Sequence, residues 1–370
     1  MIFLRFMSKK FIISLALLNI IAIYLIKIWL NPSWHIGGHD TFQYIHWATT
    51  LFTEDRSLVF FRPFLYVVIN FVHSISNWSS YTFEVFLYTC TALTTIIIFI
   101  ILKQLKVDLF ARLLSIIIFL STLVFLEGDI VGFISSFEVL LISLAVLYSI
   151  KIHKNPNNKL YMGIFIIIGL LLSFTHEEKS IFFSILLILT LLEYPKKIFY
   201  CLSIYVLTAI LFIILLQDFD LKKILFGYAG AAIGRHWGDH ANIFQNYFTV
   251  LNSSLWGYGP IFSNIFKICA ILVFVKLFQL LKELFLAYKL NSSWKIFIRS
   301  EFLSTLSKNS FIQTDTVRFL IIPSFLYILA VSILFNGMDL PRVTGPVTFF
   351  FVLGFFNIFY KKFVGNNFYI

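Results

Sequence analysis

The stretch FIISLALLNIIAIYLIKIWL, residues 11–30, sets the class to which this chain belongs. It is an apolar run of about the 20 residues that an α-helix needs to cross a bilayer. Arg5, Lys9 and Lys10 precede it, as basic residues do in a signal peptide, but the run is longer and lacks a convincing small-residue cleavage site. We therefore predict a retained first transmembrane helix.

The composition of the whole chain leads to the same class. Of its 370 residues, 59% are hydrophobic and only 13% are charged, well beyond the usage of soluble domains. The net charge of +11 is explained by Lys and Arg in cytoplasmic loops, and no nucleic-acid partner is expected because no basic patch interleaves with exposed aromatic residues. Cys90, Cys201 and Cys269 share no ligand-like spacing and are predicted to be small buried side chains.

Ten apolar runs predict an all-α polytopic membrane protein with about ten transmembrane helices in a single transmembrane domain, residues 1–370. The runs cover residues 11–30, 82–102, 112–127, 135–151, 160–175, 180–194, 198–216, 263–283, 318–336 and 346–360. With both termini cytoplasmic, 19 Lys and Arg residues fall inside and seven outside, as the positive-inside rule requires. The protein is expected in the plasma or inner membrane.

This topology leaves three long connections. The first outer loop, residues 31–81, is predicted to contain two interfacial helices, one near 41–52 and one near 63–75 with Pro63 in its first turn. The second outer loop covers residues 217–262, and a cytoplasmic loop covers residues 284–317. The unusual polar residues of the chain concentrate in the two outer loops.

The segment HIGGHDTFQY, residues 35–44, holds the strongest candidate for catalysis. Two glycines allow a sharp turn before Asp40, which lies close to the membrane boundary. A carboxylate there could act as a general base towards an acceptor hydroxyl or amine. Asp40 and Gln43 also fit a helix N-cap with its capping-box partner, and the two roles are compatible.

Histidines in both outer loops offer a second kind of site. His39, Arg235 and His236 are candidates for binding a polar substrate or its phosphate. A metal site is a weaker alternative, since neither cluster has a diagnostic spacing and the need for a divalent metal stays undetermined. Its candidate ligands are His35, His39, His236, Asp239 and His240.

Two further segments place ionisable residues at the predicted outer ends of helices. FTHEEKS, residues 174–180, contains Glu177, Glu178 and Lys179, which are candidates for binding the substrate or its phosphate. Ionisable groups at such a position line a cavity or pair with one another, and the alternative is a hydrated tight turn. MDLPRVTGP, residues 338–346, places Arg342 where its guanidinium suits a phosphate at headgroup depth, although an ordinary loop arginine fits the segment equally well.

Together these segments resemble the GT-C (C-type) polytopic membrane glycosyltransferases. The resemblance rests on the first helix and its long outer loop, on FRPFLYVVINF, on LLSFTHEEKSIFFSILLILTLLEY and on DLPRVTGPVTFFFVLGFF. It implies transfer of a sugar from a polyprenyl-phosphate donor to a glycan, lipid or protein acceptor on the non-cytoplasmic side, with inversion. Asp40 matches the position of the family's catalytic acid, and Arg342 matches the region where a basic residue meets the carrier phosphate. The chain has His39–Asp40 where many members have paired acids.

Two other functions stay open. A transporter or flippase of lipid-linked glycans would carry charges inside its spans, whereas here the spans are mostly free of acidic residues. A catalytically silent GT-C-like scaffold would use Asp40 only as a helix cap.

Overall fold

The computed structural model of the protein describes residues 14, 17–22, 25, 63–75, 80–120, 135–175, 178–216, 260–291, 309–334 and 340–363. Within these ranges the regular structure is helical and contains no strand. The helices are α1 (Pro63–Ile75), α2 (Ser80–Gln104), α3 (Leu109–Leu120), α4 (Ser135–Lys154), α5 (Lys159–Thr175), α6 (Lys179–Thr190), α7 (Pro195–Leu216), α8 (Pro260–Asn291), α9 (Ser310–Gln313), a π-helical turn (Val317–Ile321), α10 (Ile322–Leu334) and α11 (Leu340–Phe363).

The all-α prediction is confirmed for this part of the chain. Residues 17–22 of the first apolar run are helical, and helices occupy the described residues of the other nine runs except 191–194, which form a turn. Three helical segments, Val85–Gln104, Ser136–Lys154 and Asn264–Glu283, are long and apolar enough to cross a membrane. They are compatible with an integral membrane protein. The helix predicted near residues 63–75 is present and begins at Pro63, as predicted, while its position at the membrane interface stays a prediction.

The surface of α8 has the character of a helix that faces lipid. Ile268, Phe278 and Leu281 are each about 60% exposed, which would be unfavourable in water. Lys267 donates to Asn264, towards the start of the helix, and Lys276 donates to Gln279, towards its end. Both amines thus turn away from the middle of the apolar segment, as snorkelling lysines do in a bilayer.

The contacts of the chain define two compact units, which are described separately. The first contains residues 1–59, 64–147 and 356–370, and the second contains residues 60–63 and 148–355. The prediction of one transmembrane domain stays a prediction. Cys90, Cys201 and Cys269 are all buried and free, which confirms the prediction that they are small buried side chains.

In the first unit, α2 packs against α3 through a short turn. Lys106 adopts a left-handed φ of 59° there, and the Asp108 carboxylate caps α3 by accepting from the backbone N–H of Ala111 at 3.1 Å. The turn therefore fixes where α3 begins. Further along, Thr91 of α2 donates to Ser136 of α4 at 3.3 Å, and Glu138 of α4 is buried.

In the second unit, α6 packs against α5, α7, α10 and the π-helical turn. Phe183 of α6 is fully buried between the rings of Phe165 and Tyr205, with centroid distances of 4.7 and 4.9 Å. Its ring also lies over Gly169 of α5, where an added Cβ would overlap ring carbons. Glycine at residue 169 thus permits the close approach of α5 and α6.

We expect Gly169→Ala to lower the free energy of unfolding by about 1–3 kcal/mol, the usual cost of overpacking a filled core. Gly163, six residues earlier in the same helix, has open space around the position of a Cβ and serves as the matched control. Thermal unfolding of both variants in detergent measures the difference. Equal melting temperatures would show that the ring of Phe183 moves aside without cost.

Candidate functional site

Most of the predicted site residues lie outside the part of the chain that the structure describes. These are His35, His39, Asp40, Glu177, Arg235, His236, Asp239 and His240. Arg342 belongs to the first turn of α11, and only its backbone is described. Glu178 and Lys179 are described with their surroundings, so the site is built from them.

The connection between α5 and α6 is not a hydrated turn at Glu178 and Lys179. Glu178 is 4% exposed and Lys179 is fully buried. Glu178 occupies the residue before the first turn of α6, and Lys179 begins the helix. The alternative of a solvated turn is therefore wrong for these two residues, because α10 packs against α6.

The Lys179 ammonium is held by a tyrosine that is 148 residues away in sequence. Its Nζ donates to the Tyr327 Oη at 3.2 Å and lies 5.4 Å from the centroid of the same ring. Phe182, one turn further along α6, meets the ring of Tyr327 edge-on at 6.0 Å. Burial is costly for an ammonium, and the hydrogen bond to the phenol oxygen offsets part of that cost.

Removing this hydroxyl has a measurable consequence. We expect Tyr327→Phe to cost about 1–3 kcal/mol of stability, because the buried ammonium loses an acceptor while the aromatic packing on Phe182 is preserved. Tyr200→Phe is the control, since Tyr200 is 66% exposed. Unfolding midpoints of the two variants in the same detergent give the comparison. A Tyr327→Phe variant as stable as the control would mean that Lys179 does not depend on this contact.

A second buried charge lies where the π-helical turn meets the end of α6. Arg318 is 2% exposed, and its guanidinium donates twice to the Glu193 carboxylate, at 2.6 and 2.8 Å. Its Nε donates to the carbonyl oxygen of Leu189 at 2.7 Å, a carbonyl of the last turn of α6. His153 of α4 approaches the same carboxylate at 3.9 Å. The fork of Arg318 thus ties the π-helical turn to the end of α6.

The charge state of Glu193 follows from this geometry. Glu193 lies in the turn after α6. The helix α6 ends at Thr190, four residues before the end of the predicted run 180–194. Partial burial alone would raise the pKa of Glu193, but the hydrogen bonds and the charge of Arg318 outweigh burial and hold the pKa below its ordinary value. Glu193 is therefore a carboxylate at neutral pH.

The sequence interpretation missed Arg318, Glu193 and Tyr327. Arg318, the first residue of the apolar run 318–336, was counted among the 19 cytoplasmic Lys and Arg residues, and Tyr327 was one aromatic residue among many in the same run. One signal was present: Glu193 and Arg318 border two apolar runs whose ends were assigned to the same side of the membrane. Opposite charges at such ends can pair, although the sequence does not show which helices are neighbours.

Among the described residues, no group of three His, Cys, Asp or Glu side chains is placed to hold a metal ion. The candidate ligands from the two outer loops lie outside those residues. The chain matches no family model, no curated protein and no solved structure.

Proposed function

We propose that the protein is a membrane glycosyltransferase that moves a sugar from a polyprenyl-phosphate donor to an acceptor on the non-cytoplasmic side. In this proposal the chain crosses the plasma or inner membrane ten times and both termini are cytoplasmic. The acceptor is a glycan, a lipid or a protein.

The observation that carries the proposal is the buried Lys179 at the start of α6. In the proposed topology, this end of α5 and α6 lies on the outer side of the membrane. Buried cations within a membrane domain commonly serve a substrate path or a charged ligand. A lipid-linked phosphate is such a ligand, and Arg342, in the first turn of α11, is the second candidate cation for it.

The chemistry assigns each group one role. Asp40 removes the proton of the acceptor hydroxyl as its oxygen forms a bond to the anomeric carbon of the donor. The bond from that carbon to the phosphate oxygen breaks, and its electron pair leaves with the polyprenyl phosphate. Arg342 and Lys179 stabilise the negative charge that develops on the phosphate. Attack opposite the leaving group inverts the anomeric configuration.

A transporter or flippase of lipid-linked glycans is the second candidate, and one observation favours it. Three charged side chains, Glu138, Lys179 and Arg318, are buried in described helices, although the spans had been interpreted as mostly free of acidic residues. Intramembrane charges of this kind mark transport paths as well as catalytic sites. Arg318 is paired with Glu193, and Lys179 donates to Tyr327.

Sugar transfer from radiolabelled polyprenyl-phosphate sugars in membranes that contain the protein tests the proposal. Membranes from cells carrying an empty vector are the control, and a parallel reaction with chelator tests for a divalent metal. Labelled product that depends on the protein is expected. Movement of the labelled donor between leaflets without product would instead establish the transporter, and neither product nor movement would support the silent scaffold.

A further inference from the structure

A second polar region lies at the opposite ends of α5 and α6 from Lys179. Here the α4–α5 turn, residues 155–158, meets the start of α7. The Lys197 Nζ of α7 donates to the carbonyl oxygen of Pro156 at 2.9 Å and to the Asn157 Oδ1 at 2.6 Å. The same amine lies 4.8 Å from the centroid of the Tyr194 ring. Lys197 therefore connects the start of α7 to the α4–α5 turn, which lies about forty residues earlier in the sequence.

Basic side chains flank this junction, and we call them together the lysine patch. Lys151 packs its amine near the rings of Tyr148 and Tyr161, at 4.8 and 5.5 Å. The patch consists of Lys151, Lys154, Lys159, Lys196 and Lys197, of which Lys154, Lys159 and Lys196 are exposed. The neighbouring turn also carries Glu193, but the guanidinium of Arg318 already neutralises that carboxylate. The patch is thus strongly positive.

Apolar and aromatic side chains border the patch and are exposed beside it. Leu160 is 68%, Phe199 is 76% and Tyr200 is 66% exposed. Exposed aromatic and aliphatic residues next to lysines, at the ends of apolar helices, are typical of the level at which lipid headgroups lie. Lysines at that level attract anionic lipids.

We propose that the lysine patch binds the phosphate groups of acidic phospholipids, and that Lys154, Lys159 and Lys196 supply the charge. Lys197 acts as a positioning residue, because its contacts to Pro156 and Asn157 hold the two turns side by side. Leu160, Phe199 and Tyr200 contact the upper part of the acyl chains. This binding is independent of sugar transfer, so it can be tested whether or not the protein is a glycosyltransferase.

Native mass spectrometry of the purified full-length protein tests the proposal. The delipidated protein is titrated with phosphatidylglycerol and, separately, with phosphatidylcholine of the same acyl chains. We expect tighter binding of phosphatidylglycerol, and we expect Lys154→Gln/Lys159→Gln/Lys196→Gln to weaken it by at least about tenfold, since each lysine near a membrane surface contributes about fivefold. Binding of phosphatidylcholine should not change.

The control removes the same charge elsewhere. Lys103, Lys361 and Lys362 are exposed lysines of the first unit, and replacing all three by Gln should leave the preference for phosphatidylglycerol intact. A triple Lys→Arg variant of the patch should also retain it. If the triple Gln variant does not fold, the three single variants are titrated instead, each with an expected loss of about fivefold.

Three results would overturn the proposal. The first is equal binding of the two lipids by the wild type, and the second is an equal loss of preference in the patch variant and the control variant. The third is displacement of phosphatidylglycerol by millimolar inorganic phosphate, which would identify a site for free phosphate rather than for a lipid surface.

Discussion

Replacing Asp40 by asparagine is expected to reduce sugar transfer by about 10²- to 10⁴-fold, the usual contribution of a general base. Asparagine has nearly the same shape as aspartate, but its amide does not take up the proton of the acceptor hydroxyl. It is also a good helix N-cap, so the substitution preserves the structural role that Asp40 has in the alternative interpretation. Initial rates in membranes containing equal amounts of inserted protein measure the effect.

Asp55→Asn provides the matched control, because Asp55 belongs to the same predicted outer loop and the chemical change is identical. Its rate should stay close to that of the wild type. If Asp40→Asn is fully active, then Asp40 is not the base, and a loss of activity in the control variant would move that role to Asp55. Asp40→Asn thus removes the proposed base and keeps the N-cap. Asp40→Ala would remove both, so its effect would not distinguish the two roles.

The helices were predictable because the requirement that a bilayer imposes is local. An apolar run long enough to cross hydrocarbon must satisfy its backbone hydrogen bonds within itself, which only a helix allows in a single segment. The predicted run 160–175 accordingly agrees with α5, Lys159–Thr175. The run 318–336 agrees with the π-helical turn and α10 together, although its first four residues belong to the π-helical turn, a geometry that hydropathy does not indicate.

The contacts within the candidate site were not predictable, because they join residues far apart in sequence. Lys179 and Tyr327 are separated by 148 residues, and Arg318 and Glu193 by 125. Hydropathy locates each helix but does not show which helices are neighbours or how each is rotated. Glu178 and Lys179 consequently allowed two interpretations, and their burial under the packing of α10 on α6 excludes the hydrated turn.

The pair of Arg318 and Glu193 gives the largest effect on stability that we expect. Glu193→Gln should lower the free energy of unfolding by about 3 kcal/mol, because it leaves the buried guanidinium without a counter-charge. The Glu193 side chain is 34% exposed, so water offsets part of the loss and the estimate lies at the lower end of the usual range. Thermal unfolding in detergent at neutral pH measures the effect. Glu283→Gln, at an exposed residue, is the control.

The acid dependence of this difference has a definite sign. Because Arg318 holds the pKa of Glu193 below its ordinary value of 4.5, the pair stabilises the fold above that pH and loses its contribution as the pH falls through the lowered value. The melting temperatures of the wild type and Glu193→Gln should therefore converge in acid. A difference that is independent of pH would mean that shape, and not charge, explains the effect of the substitution.

A double substitution tests whether the pair of Arg318 and Glu193 adds net stability or only compensates for the cost of burying its charges. Arg318→Met alone leaves a carboxylate that water reaches, so it should cost less than Glu193→Gln alone, which leaves a buried cation. The two changes together should cost less than their sum, because neither residue then carries an unpaired charge. If the double variant is as stable as the wild type, the attraction between the two charges only balances their cost of burial. If it is less stable, the hydrogen bonds of Arg318 to Glu193 and to the Leu189 carbonyl oxygen contribute net stability at the end of α6.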